Sequence, residues 1–327
     1  MKKLISLFLV MIMTAALFTG CASGNSSDKT VVRLGGLKGP TSMGMVKLLD
    51  DAENGRAKSK IEFTIAGSPD ELVPKLTGKD PELDIAALPA NLASVLYNKT
   101  DGAIQFLAVN TLGVIYIVEK GEPVIHSIAD LKGQTIYATG KGSTPEHALN
   151  YLLAENGLEP GKDVTMQWKS EPPEVIASIA KEDHAVAMMP QPFVTVAQGK
   201  VEGLNISLDL TEEWEKLDNG SQFITAGLVA RREFVENHPE AVAQFLREYE
   251  ASTKFINSNI VEGAKLIEKY GIVKAAIAEK AIPFCNITYI AGKEMIPAMQ
   301  GYLKVLFDQN PKAVGGALPG DDFYYAP

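Results

Sequence analysis

The sequence is poor in the residues from which metal sites, disulfides and catalytic pairs are built. It has only two cysteines, Cys21 and Cys285, and four histidines. None of the histidines has a second histidine, a cysteine or a carboxylate pair at metal-ligand spacing, so we expect no metal site. Ser143 does not lie in a Gly-x-Ser-x-Gly turn, and no nucleophile stands beside an evident base. The sequence therefore predicts a protein that is not an enzyme and that carries no metal and no cofactor.

Positive charge and long apolar runs are also scarce. The chain of 327 residues has 31 Lys and Arg against 40 Asp and Glu, a formal net charge of -9. This acidic balance argues against a nucleic-acid partner and against electrostatic docking on anionic lipid. Beyond Phe18 no apolar run is long enough to span a bilayer. The length fits one large domain or two ordinary ones, and we expect a monomer.

The beginning of the chain has the features of an export signal. Two lysines precede an almost unbroken apolar run over residues 4–18, and Thr19-Gly20-Cys21 follows. Such a pattern is typical of a secretory signal rather than a membrane span. The cysteine after small residues resembles the lipobox of a bacterial lipoprotein. The alternative is an ordinary secretory signal whose cysteine is incidental.

The lipobox resemblance implies a protein anchored by lipid outside the cytoplasmic membrane. Residues 1–20 would be the signal peptide, Cys21 would carry a diacylglycerol, and residues 21–30 would form the lipidated start and a polar tether. The mature chain would keep 29 basic and 40 acidic residues, a formal charge of -11. Cys285 would then have no partner, and we expect it to be a buried small hydrophobic residue.

Strand and helix patterns alternate along the first half of the chain. We predict strands over residues 31–34, 61–65, 83–88 and 104–109, and helices over 42–54 and 89–98. Ser68 and Glu71 predict a capping box with Pro69 at the first helical position. The alternation indicates an α/β fold with a mostly parallel sheet.

The pattern restarts after Gly113 and ends in helices. Strands are predicted over residues 114–118, 135–138, 164–168 and 185–189, with a last strand over 223–230 and a largely helical chain from 232 onward. We expect lobe 1 to begin with residues 31–110, lobe 2 to comprise 111–222, and residues 223–327 to return to lobe 1 with C-terminal helices. Two short hinge strands should join the lobes, near residues 109–111 and 220–225.

Four strand-to-helix junctions, two in each half, are rich in glycine, proline and hydroxyl residues. Ligands of open α/β sheets bind at the carboxyl ends of strands. Glycine allows a ligand close to backbone N–H groups, and a helix start adds partial positive charge. Each junction alone is also what an ordinary capped turn uses. Together they predict a cleft contacted by Lys38, Gly39, Pro40, Thr41, Ser42, Pro89, Asn91, Lys141, Gly142, Ser143 and Thr144, with Asn110 at a hinge.

The charge of the expected ligand stays open at this point. Lys38 and Lys141 are the only cations in the glycine loops, which contain no acid, and this favours an anionic ligand. The alternative is a neutral heteroaromatic ligand, with both lysines merely solvated. Neither glycine loop has the spacing of a nucleotide-binding signature.

Several motifs together resemble one family. They are the lipobox at Cys21, Ser-Ile-Ala-Asp-Leu-Lys-Gly over residues 127–133, Gly-Lys-Gly-Ser-Thr over 140–144, and Arg-Arg-Glu-Phe-Val-Glu-Asn-His-Pro-Glu-Ala-Val over 231–242. The mature chain resembles substrate-binding lipoproteins of ABC transporters. The similar branch serves nitrate, sulfonate, taurine and bicarbonate uptake and is related to binders of thiamine-pyrimidine precursors.

The resemblance implies a fold and a set of partners. The fold would be the type II periplasmic-binding fold, whose two lobes close on a small-molecule ligand. The partners would be an ABC permease with its cytoplasmic ATPase, and the membrane through the lipid anchor. Gln191 lies where this family often places a polar contact to the ligand. A sensory receptor that does not transport, or an extracellular enzyme on the same fold, would be the alternatives.

Overall fold

The computed structural model describes residues 30–327. The predicted signal peptide, Cys21 and all but the last residue of the predicted tether lie outside these residues. From residue 30 onward, no helix is both long and apolar enough to cross a bilayer.

Strands and short helices alternate as far as residue 231, and helices dominate thereafter. In the described part of the chain the strands are β1 (Val31–Leu37), β2 (Lys60–Ala66), β3 (Ile85–Pro89), β4 (Ile104–Leu112), β5 (Ile115–Lys120), β6 (Thr135–Ala138), β7 (Thr165–Trp168), β8 (Ala185–Pro190), β9 (Leu204–Asp209), β10 (Ile224–Arg231) and β11 (Ile287–Ala291). The α-helices of the same residues are α1 (Pro40–Met43), α2 (Val46–Glu53), α3 (Pro69–Thr77), α4 (Ala90–Lys99), α5 (Thr144–Glu155), α6 (Pro172–Ile179), α7 (Phe193–Gln198), α8 (Leu210–Glu215), α9 (Arg232–Asn237), α10 (Pro239–Ser258), α11 (Ile260–Lys269), α12 (Ala275–Ala281) and α13 (Gly292–Gln309). The predicted α/β class with a helical C-terminal part is confirmed.

The strands form two separate sheets. The first has six strands in the order β11-β4-β10-β3-β1-β2, and the second has five in the order β7-β6-β8-β5-β9. The chain passes from the first sheet to the second between Leu112 and Ile115, and it returns between Asp209 and Ile224. The lobe boundaries expected from the sequence stay a prediction.

The expectation of mostly parallel sheets is wrong, because both sheets are mixed. In the first, β1 pairs in parallel with β2 and β3, whereas β10 is antiparallel to β3 and β4, and β11 is antiparallel to β4. The start of β10 at Ile224 pairs with the end of β4 at Leu112. The chain therefore returns at the end of the sheet where it left, and the returning strand must run opposite to the leaving one. In the second sheet β5 is antiparallel to β8 and β9.

The single helix predicted over residues 42–54 is two helices, α1 and α2. In a continuous helix the Leu48 N–H would donate to the Gly44 carbonyl. Instead, the Ser252 hydroxyl of α10 donates to the Gly44 oxygen at 2.7 Å and accepts from the Leu48 N–H at 3.0 Å. A side chain inserted between these two groups breaks the helical hydrogen-bond ladder.

Two strands, β9 and β11, lie where the sequence predicted none. The last strand was expected over residues 223–230, but β11 follows and forms the edge of the first sheet beside β4. It is only five residues long, and Asn286 before it has a positive φ of 43°. So short a segment carries little periodicity of its own, and its pairing with β4 decides its conformation.

Two local predictions are confirmed. Ser68 and Glu71 form the capping box of α3, in which the Glu71 carboxylate accepts the Ser68 N–H at 3.0 Å and the Gly67 N–H at 2.9 Å. Cys285 is fully buried and unpaired, and burial raises the pKa of its thiol. The capping box could be predicted from the spacing of Ser68 and Glu71, and the burial of Cys285 from its apolar neighbours in the sequence.

Candidate functional site

A cleft lies between the ends of the two sheets. It contains a cavity of about 140 Å³, which we call the inner chamber. From the first sheet its lining comes from the loops after β1 and β2, the end of β3 and the start of β10. From the second it comes from the start of β5, the loops after β6 and β7, and the end of β8. The inner chamber is therefore enclosed by the same kind of junction on both sides.

Not all of the predicted site residues line the inner chamber. Those that do are Lys38, Gly39, Pro40, Thr41, Pro89, Ser143 and Thr144. Lys141 and Gly142 line a neighbouring cavity, together with Ser143. The cavities that carry these residues do not include Ser42, Asn91, Asn110 or Gln191 in their linings.

Two threonine hydroxyls at the inner chamber lack hydrogen-bond partners. Thr41 and Thr225 both line it, and the Oγ1 atom of each is buried without a partner. A buried hydroxyl without a partner is unfavourable, so each of these atoms has an unused capacity for a hydrogen bond. Thr225 was not among the predicted site residues. The sequence feature that could have pointed to Thr225 was its position at the predicted second hinge.

Asn91 and Thr144 connect elements of the two sheets. The Thr144 hydroxyl at the start of α5 lies 3.3 Å from Asn91 Oδ1 and 3.1 Å from the Thr225 carbonyl oxygen. It also accepts from the Tyr302 hydroxyl at 3.4 Å. Asn91 Nδ2 donates to the Ala313 carbonyl at 3.0 Å. The polar groups of Asn91 and Thr144 are therefore used in joining the two sides of the cleft.

Asn110, Gln191 and Ser42 lie behind the cleft wall. Asn110 Nδ2 donates to the Thr41 carbonyl at 3.0 Å and so positions the backbone of a residue that lines the chamber. Gln191 Oε1 accepts from the Thr195 hydroxyl at 2.8 Å, which fastens the start of α7. Ser42 is fully buried, and its Oγ atom has no partner.

Prolines make the inner chamber more apolar than its helix starts would suggest. Six prolines line it: Pro40, Pro69, Pro89, Pro145, Pro172 and Pro190. Four of them occupy the first or second position of α1, α3, α5 and α6. Proline has no N–H, so each helix offers one free donor fewer and presents a hydrocarbon ring instead.

At three helix starts, glutamates of the chain itself accept hydrogen bonds from backbone N–H groups. Besides Glu71 on α3, Glu146 accepts the Gly142 N–H at 2.5 Å, and Glu174 accepts the Ser170 N–H at 2.9 Å. These carboxylates use donors that the sequence suggested for a ligand. Hydroxyl groups therefore remain the main hydrogen-bonding groups of the inner chamber.

The charge at the inner chamber comes from one lysine. Among the described residues that line it, Lys38 is the only one with a charged side chain. It is exposed and pairs with no carboxylate within residues 30–327. Those same residues contain no group of three or more His, Cys, Asp or Glu side chains placed to hold a metal ion. The site offers hydrogen bonds and one positive charge.

The cleft lies between two β-sheets, and side chains make contacts across it. This arrangement is typical of a solute-binding protein that closes on its ligand. Residues 57–281 match the family described as "ABC transporter, phosphonate, periplasmic substrate-binding protein". That is more than half of the chain, and the chain belongs to this family. The family consists of substrate-binding proteins of transporters, not of enzymes. A comparison with curated proteins found no match.

Solved structures share the fold over most of the chain. An ABC transporter structure from Parabacteroides distasonis has a TM-score of 0.74 and 27% identity, and the match covers 91% of this chain and 99% of that one. The periplasmic aliphatic sulphonate binding protein SsuA of Escherichia coli has a TM-score of 0.71 and 18% identity, with 91% and 92% covered. The periplasmic nitrate-binding protein NrtA of Synechocystis PCC 6803 has a TM-score of 0.59 and 16% identity, with 82% and 75% covered.

These comparisons confirm the resemblance to substrate-binding proteins of ABC transporters, and the lipid anchor stays a prediction. The fold is that of the periplasmic binding proteins, and the chain is a substrate-binding component of an ABC transporter that acts outside the cytoplasm.

Proposed function

We propose that the protein is the receptor of an ABC importer and captures a small anionic solute in the inner chamber. The observation that carries this proposal is the pair of buried, partnerless hydroxyls of Thr41 and Thr225 beside the single positive charge of Lys38. Two donors and one cation suit a singly charged oxyanion head group. The sulfonate and nitrate proteins that share the fold support this class of ligand.

Binding would be coupled to closure of the two lobes. Lobe 1 would comprise residues 31–110 and 223–327, and lobe 2 residues 111–222, with the two chain crossings as hinges. Thr41, Thr225 and Lys38 belong to the first lobe, and the second lobe would close over the ligand with the start of α5. A ligand that contacts both sides stabilises the closed form by its difference in affinity for the two forms.

The lipid anchor would hold the receptor near its permease. We propose that Cys21 carries the lipid, that the protein is a monomer outside the membrane, and that it delivers the solute to a permease with a cytoplasmic ATPase. Acylation of this kind keeps a protein at a membrane surface when two chains are attached.

Calorimetric titration of residues 30–327 with nitrate, methanesulfonate, taurine and bicarbonate tests the proposal. Thr225→Val removes one hydroxyl without changing the shape of the side chain much. It should lower the affinity for an anionic ligand by about 1.5–3 kcal/mol, roughly ten-fold to more than a hundred-fold. Thr165→Val, an exposed threonine of β7, is the control and should bind like the wild type. Equal affinity of both variants would contradict the placement of the ligand.

A further inference from the structure

A larger cavity, which we call the outer chamber, adjoins the inner chamber. The outer chamber has a volume of about 530 Å³, against about 140 Å³ for the inner one. Five residues line both: Ser68, Pro69, Gly140, Ser143 and Ser170. The two cavities are therefore adjacent, and a ligand too long for the inner chamber would extend toward the outer one.

The outer chamber has an apolar surface on each side. Trp168, at the end of β7, lines it from the second sheet, and Leu92 of α4 lines it from the first. Both side chains are only half-buried. The other tryptophan, Trp214, is fully buried and stacks on Phe223 with ring centroids 5.2 Å apart. Trp168 therefore presents an indole surface that a flat group can cover.

The charged groups of the outer chamber are two lysines and two acids. The Glu174 carboxylate is engaged by the Ser170 N–H at 2.9 Å, and Lys169 Nζ lies 5.8 Å from the centroid of the Tyr137 ring. Asp70 is exposed on the first turn of α3. Lys141 is exposed and has no ion-pair partner within the part of the chain described. Lys141 is thus free to bond an acceptor on a ligand.

We propose that the ligand has two parts, a compact anionic head in the inner chamber and a flat, aromatic or heteroaromatic body in the outer chamber. The body covers the indole of Trp168, and an acceptor on it faces Lys141. This inference rests on the proposed function and narrows its ligand class.

Two probes that share a head and differ in the body test the inference. Methanesulfonate has the head alone, and 2-naphthalenesulfonate adds a flat body. We expect the wild-type protein to bind 2-naphthalenesulfonate at least ten-fold more tightly. Trp168→Ala should abolish most of that preference and leave methanesulfonate affinity unchanged. Phe284→Ala, which removes an aromatic ring that is 56% exposed and lines neither chamber, should change neither affinity.

Fluorescence of the wild-type protein gives a readout that does not depend on the fold of a variant. With benzenesulfonate as the flat probe and excitation at the red edge of the tryptophan band, where this probe does not absorb, a change in indole emission that methanesulfonate does not cause reports contact at Trp168, because Trp214 is buried. Equal affinity for the two probes, or equal weakening of both by Trp168→Ala, would overturn the two-part ligand and leave the receptor function standing. Failure of both probes to bind would overturn this inference, and binding of nitrate or bicarbonate in the calorimetric panel would then still support the anionic class.

Discussion

At the scale of single residues, we expect recognition of a ligand in the inner chamber to depend on side chains more than on helix ends. Proline removes one N–H from the starts of four helices, and Glu71, Glu146 and Glu174 accept others. What remains at the chamber wall is a pair of partnerless hydroxyls and Lys38. The sequence pointed to loops that line this chamber, because glycine, proline and threonine mark such junctions. It could not show which polar groups the chain itself would use.

The charge of Lys38 is testable by substitution and by salt. Lys38→Gln should lower the affinity for an anionic ligand several-fold, because it removes the one charge of the inner chamber. Wild-type affinity should fall as ionic strength rises, and the variant should respond less, since screening acts on the exposed charge. Calorimetric titration at low and high salt measures both effects.

Lys200→Gln is the matched control, because Lys200 is an exposed lysine that lines neither chamber. A ligand that binds Lys38→Gln and wild-type protein equally well at every salt concentration would be neutral, and the anionic assignment would be wrong.

At the scale of elements, long-range contacts decide what local sequence leaves open. The capping box of α3 could be predicted, because Ser68 and Glu71 are three residues apart and bond one another's backbone. The break between α1 and α2 could not, because it depends on Ser252, which is far away in sequence. Strand β11 was missed for a similar reason: it is short, and its pairing with β4 determines its conformation.

Removal of the Ser252 hydroxyl should destabilise the fold. Ser252→Ala leaves the buried Gly44 carbonyl and the Leu48 N–H without their shared partner, which should cost about 1–3 kcal/mol of the free energy of unfolding. Urea denaturation measures this loss. Ser258→Ala, an exposed serine at the end of the same helix, should change stability by less than about 0.5 kcal/mol. Equal stability of the two variants would show that the bridge is not needed.

His147 on α5 should make stability depend on pH. Burial lowers the pKa of its imidazole below the ordinary value of 6.5. The unfolded chain therefore takes up a proton at a pH where the folded protein does not, and this lowers the free energy of unfolding as the pH falls below about 6.5. Denaturation of wild-type protein and His147→Gln at pH 7.5 and 5.5 measures the contribution. The wild type should lose more stability than the variant over this interval, and an equal or smaller loss would contradict the shift.

At the scale of the whole molecule, two mixed sheets lie on either side of a cleft. The chain crosses from one sheet to the other twice. The contacts of Thr144 with Asn91 and with the Thr225 carbonyl join the two sides. The alternation of strands and helices was enough to predict two α/β halves and the cleft between their loops. The antiparallel course of β10 was not predictable, since it follows from where the chain re-enters the first sheet.

Membrane attachment should depend on Cys21. Cys21→Ser removes the sulfur that would carry the lipid, so metabolic labelling with a fatty acid should mark the wild-type protein and not the variant. Cys285→Ser is the control, because it also removes a cysteine but not the one that would carry the lipid. The folded Cys285→Ser protein should remain labelled. Labelling of the Cys21→Ser protein would contradict the lipid anchor.

The most direct test of the account is a crystal structure of residues 30–327 with the tightest-binding anion from the calorimetric panel. We predict that the anion lies in the inner chamber, with oxygens within about 3.2 Å of the Oγ1 atoms of Thr41 and Thr225. The chain has a competing cavity of about 450 Å³ elsewhere, lined in part by Lys79, Arg231 and Arg232. An anion found there, with the inner chamber empty, would contradict the central claim.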